Sequence, residues 1–453
     1  MNARLKPVVA ETPTIAPSEF ARRRRRLMEM AGDDAILIVP AAPERIRSND
    51  THHPYRQDSD FWYLTGFGEP EAVLVLVPGR SAGEVLMFCR ERDPEREAWD
   101  GPRAGPEGAV ERYGMDDAYP WADMDEILPR LIEGRSRVFF HFGRDAEFDL
   151  KLIGWVKRVR HQMRGNSESP HEFQEIGHLL HELRLFKSSA ELAVMRRSCD
   201  IAIEAHLAAM QAAAASTFEY EIEAELQYRF RRHGAVPSYS PIVASGANAC
   251  VLHYHANNAR MQPGELLLID AGAELQGYAS DITRTFPING RYSEAQRAIH
   301  DLVLEAQRAA IAVVKPGAAW LAPHDAAVAT LTEGLLRLGL LKGTLKQNLA
   351  DHTYKRFYPH KTGHWLGLDV HDVGDYRIDN EYRVLEPNMV FTVEPGLYIR
   401  PDDKSVAPRW RGIGVRIEDD VVVTKTGCDV LTAALPNHSE AIEALMQNQG
   451  SSR

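Results

Sequence analysis

Two apolar runs in this chain end in a carboxylate with a glycine two residues on: Leu266–Ile269 leads into Asp270 and Gly272, and Val390–Val393 into Glu394 and Gly396. Behind each comes a glycine with an acid four residues later, Gly277 to Asp281 and Gly414 to Glu418. A carboxylate in apolar surroundings is costly unless something compensates it. Four converging acids repel one another, and divalent cations relieve that repulsion. Taken singly, each acid is more simply a structural group, with Arg284 and Arg416 as salt-bridge partners for Asp281 and Glu418. The histidines shift that balance. His360, His364 and His371 fall within 12 residues, among glycines, and His253 lies upstream. An oxygen-rich site with one imidazole suits manganese, iron or cobalt, whereas structural zinc favours thiolates and several histidines.

The elements that must position these groups show a weak repeat. Pro263–Gly272 can be laid over Pro387–Gly396, each a proline turn, an apolar strand, a carboxylate and a glycine. Chance similarity of strands competes with duplication as the explanation, and the paired acids favour duplication. Upstream, short apolar runs at 35–40, 72–78 and 138–142 predict buried strands, with a helix over 124–133 between them, so this region reads as an α/β domain. A boundary is expected near Phe186-Lys187. Ser188 and Glu191 have capping-box spacing, and Leu192, Met195, Cys199 and Ile203 follow at helical period. The expected domains are 16–186 and 187–440, with a mobile arm over the first 15 or so residues and a frayed end from Gln447 to Arg453.

Composition removes several functions. The chain has 453 residues, 44% hydrophobic and 26% charged, which is ordinary globular composition, and a formal charge of -11. That charge argues against nucleic acid or an anionic membrane as partner. The basic run Arg22–Arg26 is read as a solvated helix face rather than a nucleic-acid patch. No targeting segment or membrane span is expected. Cys89, Cys199, Cys250 and Cys428 are scattered, which suggests reduced thiols in a cytoplasmic protein. His178, His181 and Glu182 fit no zinc-helix motif, and Gly412-Ile413-Gly414 lacks the context of a dinucleotide site.

The region from Lys187 to Leu431 resembles the pita-bread metallopeptidases, which include methionine aminopeptidase, prolidase and aminopeptidase P. The resemblance rests on Ile269–Gly272, Asp281–Phe286, His364–Asp372, Thr392–Gly396 and Arg416–Asp419, in that order. Asn49–Thr51, Tyr55–Gly66 and Glu69–Ala72 are similar to the N-terminal domain of aminopeptidase P. The resemblance implies an α/β N-terminal domain and an α+β pita-bread C-terminal domain with a pseudo-twofold repeat. It implies two divalent ions per subunit, manganese being the expected metal, held by Asp270, Asp281, His364, Glu394 and Glu418, with Asp281 and Glu418 bridging. The two ions would share a hydroxide that attacks the bond between an N-terminal residue and a following proline.

By the same resemblance, His371 polarises the scissile carbonyl, and His253 and His360 stabilise the tetrahedral intermediate and leaving nitrogen. Glu394 shuttles a proton, and Arg416 holds acidic groups in place. Tyr398 and Trp99 are carried over as substrate-side residues, Trp99 reaching a neighbouring subunit's site, and His255 as a bystander. The implied partners are peptides with proline at the second position and further copies of the chain, as a homodimer or homotetramer. A prolidase confined to Xaa-Pro dipeptides and a catalytically inactive binding protein are the alternatives. Lys361 departs from the family, which often has glycine after the histidine matched by His360.

Overall fold

The computed structural model describes residues 12–162 and 169–447. Most of the expected N-terminal arm, and the tail after Gln447, lie outside the described residues. The chain divides into two compact units: Ile15–Arg184, and Leu185–Arg453 with Met1–Thr14, so far as these are described.

The N-terminal unit is built on a six-stranded mixed sheet. Its strands are β1 (Ala35–Pro40), β2 (Val73–Leu76), β3 (Val85–Cys89), β4 (Asp117–Pro120), β5 (Arg137–Phe140) and β6 (Glu172–Glu175), in the order β4-β3-β2-β1-β5-β6. Strands β1, β2, β3 and most of β5 are buried along their length, as their unbroken apolar runs require. Ile36, Ile38, Val75 and Phe88 share one core with Leu128, Leu152 and Trp155 from neighbouring helices.

The basic run is only partly a solvated face. Helix α1 (Pro17–Ala31) buries Arg23 and Arg24. Arg23 donates to the Tyr63 carbonyl, and Arg24 to the carbonyls of Leu64 and Gly114. These buried guanidinium groups serve as donors to backbone carbonyls, a use that charge patterning does not reveal.

The C-terminal unit contains two similar halves. In the first, α2 (Ser189–Ala212) begins with the expected capping box, Ser188 and Glu191 satisfying each other's backbone amides. It packs on α3 (Glu219–Arg232), beside the antiparallel sheet of β7 (Ile242–Ser245), β8 (Leu266–Asp270) and β9 (Thr283–Pro287). In the second half, helices α4 (Glu294–Ala312) and α5 (Ala322–Arg337) pack together, beside β10 (Val390–Val393), β11 (Gly396–Ile399), β12 (Ile413–Arg416), β13 (Asp419–Val423) and β14 (Cys428–Val430). The central pairings correspond: Asp270 faces Thr283 across β8 and β9, and Val393 faces Asp419 across β10 and β13. Each acid-bearing strand therefore ends beside the segment that carries the next acid.

Close backbone approach explains two glycines here. A Cβ on Gly272 would lie 1.7 Å from the Ser280 carbonyl oxygen, and one on Gly363 would lie 1.9 Å from that of Thr392. No side chain fits either place. Among the described residues, no helix is long and apolar enough to cross a membrane.

Candidate metal centre

The ends of β8 and β10 deliver Asp270 and Glu394 into one cavity of about 490 Å³. The turns before β9 and β13 add Asp281 and Glu418, and the segment ahead of β10 adds His360, His364 and His371. Ligand atoms of Asp281, His364 and Glu418 all lie within 4.8 Å of one another. His364 Nε2 is 3.4 Å from Asp281 Oδ2 and 3.9 Å from Glu394 Oε1. His253, His255 and Arg416 line the same space, and the rings of His253 and His255 stack at 6.3 Å.

The structure thus brings together all five ligand candidates, the three histidines and Arg416. Tyr398 lies behind them, buried, with its hydroxyl 3.0 Å from Arg416 Nη1 and 2.9 Å from His360 Nε2. Trp99 is not among the lining side chains; it stands 86% exposed on the helix Pro94–Asp100 of the N-terminal unit. His255, read as a bystander, lines the cavity beside His253.

The arginines do not pair as single-acid reasoning expected. Arg284 bonds to Asp419 at 2.7 Å, and Arg416 to Asp270 at 2.6 Å, so neither forms the expected ion pair with Asp281 or Glu418. Packing between separate sheets is the cause, because it sets Arg284 beside β13 and Arg416 beside the end of β8.

The electrostatics of the bare protein test whether the donor set fits divalent cations. Burial, then the charges of Asp281, Glu394 and Asp270, pushes Glu418 well above the usual carboxylate range. Burial likewise raises Asp270, and raises Glu394 to about 7. Asp281 goes the other way: burial opposes its charge, but the hydrogen bond from His364 holds it below its ordinary value. Burial also opposes charge on His364, yet Asp281 and Glu394 raise it to about 9. The bare site thus retains protons where cations would take their place. His364 is oriented for that exchange. Its Nδ1–H donates to the Trp365 carbonyl at 3.0 Å, which turns Nε2 to the acids, the arrangement a histidine ligand needs.

Residue-type reasoning missed Tyr239. Its hydroxyl lies 2.5 Å from Oδ1 of both Asp270 and Asp281, so it ties one acid from each end of the turn. Thr283 donates to Glu418 Oε2 at 2.6 Å in a similar role. No spacing pattern links position 239 to 270 or 281, so only the fold exposes the contact. Tyr239→Phe is expected to weaken metal affinity about 10- to 100-fold while leaving the unfolding transition near that of wild type. Manganese titration of stripped protein checks this; unchanged affinity would remove Tyr239 from the site.

Comparison with known proteins agrees with this geometry. The model of metallopeptidase family M24 matches residues 193–425, and that of the aminopeptidase P N-terminal domain matches residues 20–140. The Xaa-Pro aminopeptidase of Escherichia coli is 45% identical over 434 residues, covering 95% of this chain and 98% of the relative. Human Xaa-Pro aminopeptidase 3 is 35% identical, with coverage of 96% and 87%. The solved aminopeptidase PepP of Pseudomonas aeruginosa superposes with a TM-score of 0.96 at 55% identity, covering 97% of this chain and all of the other. Zinc-substituted E. coli aminopeptidase P in complex with product gives 0.93 at 44% identity, covering 96% of this chain and 99% of that one. An aminopeptidase P N-terminal domain followed by a pita-bread domain, with these relatives along nearly the whole length, places the chain in the aminopeptidase P branch of metallopeptidase family M24, as a metal-dependent peptidase.

Proposed function

We propose that this peptidase removes an N-terminal residue that precedes proline, using two divalent ions held by Asp270, Asp281, His364, Glu394 and Glu418. The observation that carries the reading is the convergence of these five ligands in one cavity, in a chain so similar to enzymes named for Xaa-Pro cleavage. Ligand atoms of Asp281 and Glu418 lie within 4.8 Å of one another, so these two carboxylates would be the shared ones, with Asp270, His364 and Glu394 completing the set. Manganese is the expected metal because oxygen donors dominate and a single imidazole joins them. Bound there, the ions would supply charge neutralisation and a hydroxide nucleophile at neutral pH.

The protein's own groups do the rest. His371 has its charged form disfavoured by burial and by His364, so at neutral pH it offers an N–H to the scissile carbonyl without adding charge. His253, on the exposed wall, faces the same space. Burial and Arg416 lower His360 to about 3, and both its nitrogens are engaged, by the Lys361 carbonyl and the Tyr398 hydroxyl. His360 therefore holds Tyr398 against Arg416, and Arg416 in turn holds Asp270. Glu394, at the end of β10 and in the same cavity, is the group that would pass a proton to the leaving nitrogen.

Proline accounts for a dedicated site: its bond has no amide hydrogen and its ring fixes φ, which defeats proteases that bind substrate as a strand. A cytoplasmic homo-oligomer is the expected form, with Trp99 offered to substrate in a neighbouring subunit's site.

Cleavage of Ala-Pro-Ala and of Ala-Pro by metal-stripped protein, with and without manganese, tests this. Metal-dependent release of alanine from the tripeptide is expected. Cleavage of the dipeptide alone would indicate a prolidase, and no cleavage with any metal would leave a binding protein of this fold.

A further inference from the structure

Six charged residues line the cavity: Asp270, Asp281, Glu394, Glu418, Arg416 and Lys361. The four acids belong to the ligand set, and Arg416 is buried against Asp270 and Tyr398. Lys361 is different. It is exposed, and among the described residues no carboxylate pairs with its ammonium group. Its backbone is held, since its carbonyl accepts from His360 Nδ1 at 2.7 Å. It also lines the small neighbouring pocket of Trp320, His324 and Thr362, so it stands on the wall between the two spaces.

An unpaired cation on the wall of a reaction cavity selects which end of a peptide comes near it. The ammonium of a free N-terminus is repelled by Lys361, and the scissile bond ahead of proline sets that terminus on the other side of the reaction centre. The end that approaches Lys361 is therefore the far one, beyond the proline, where the available charges are a C-terminal carboxylate or an acidic side chain. In a tripeptide that carboxylate lies two residues past the scissile bond, at most about 7 Å of extended chain. The flexible four-carbon stem of lysine adapts to either source.

We propose that Lys361 is a specificity determinant that binds a carboxylate on the proline-led leaving fragment. The proposal deepens the Xaa-Pro reading and rests on it for the direction of the bound peptide. The contact is partly solvated, so the discrimination should be about 2- to 5-fold and weaken with salt.

The test compares kcat/KM at low salt for manganese-loaded wild type, K361R, K361Q and K361E. One substrate pair is Ala-Pro-Ala against its C-terminal amide; the second is Ala-Pro-Glu-Ala-amide against Ala-Pro-Gln-Ala-amide. Wild type and K361R should favour the charged member of at least one pair, mostly through KM. K361Q should lose the preference and K361E invert it. The pair that responds identifies the source of the carboxylate. Equal ratios in wild type and K361Q for both pairs would overturn the proposal. Calorimetric binding of Pro-Ala and Pro-Ala-amide to the same proteins gives the ratio without turnover. If no peptide is cleaved but wild type and K361R prefer Pro-Ala while K361Q does not, the Xaa-Pro reading fails and the anion site stands; no preference in binding, together with equal cleavage ratios for the Glu/Gln pair, defeats the anion site.

Discussion

Glu418→Gln is expected to lose activity by on the order of 10³-fold or more while making the metal-stripped protein more stable at pH 7. The activity loss follows because a shared ligand is removed and the charge stabilisation supplied by metal, several kcal/mol, goes with it. The stability gain follows from the bare site. Glu418 is 2% exposed, and burial plus three neighbouring acids raise it well above its ordinary value of 4.5. Below pH 4.5 both folded and unfolded chains hold this proton, and it has no effect on stability. Above 4.5 the unfolded chain releases the proton and the folded one keeps it, so stability falls as pH rises. At pH 7 the penalty reaches up to about 3 kcal/mol, and glutamine, which has no proton to release, escapes it. Glutamine can still accept the Thr283 hydroxyl. Urea unfolding of both stripped proteins at pH 7 and pH 5 checks the sign: the variant's advantage should shrink at the lower pH. A variant less stable than wild type at pH 7 would mean that the acids do not repel as described.

Arg416→Leu should produce the opposite balance. Arg416 is buried, with Asp270 at 2.6 Å, the Tyr398 hydroxyl at 3.0 Å and Thr283 Oγ1 at 3.2 Å. Removing one partner of a buried pair strands the other charge, a loss of about 3–5 kcal/mol. Cations in the site would meet part of the stranded Asp270 charge, so manganese should reduce the loss. Unfolding with and without manganese measures both quantities. A loss under about 1 kcal/mol, or one that manganese leaves unchanged, would show that Arg416 does not hold Asp270 in place. Arg416→Lys keeps the charge but cannot reach three acceptors at once, and an intermediate loss is expected.

Much of this site was legible in the sequence because its acids terminate apolar strands. Val390–Val393 and Leu266–Ile269 announce buried strands, and Glu394 and Asp270 stand at their ends, where the fold places them. The three histidines were visible through their spacing alone. The capping box at Ser188 formed as its residue types require. What escaped depends on contacts between distant segments. Tyr239 reaches Asp270 and Asp281 through a loop that has no periodicity. The arginines took other partners, Asp419 and Asp270, because packing between separate sheets decides their neighbours, and that packing cannot be read from a strand in isolation. Arg23 and Arg24 looked solvated because a charge run usually is, yet the backbone carbonyls of Tyr63, Leu64 and Gly114 claim them. Charge count carries no information about which backbone groups lack partners.

The most direct test adds manganese stepwise to stripped protein while cleavage of Ala-Pro-Ala is followed. A rise in rate that saturates at two equivalents per chain in wild type, and is absent in Glu418→Gln, is the predicted result. Saturation at one equivalent, or cleavage that needs no metal, would contradict a two-ion site built from Asp270, Asp281, His364, Glu394 and Glu418.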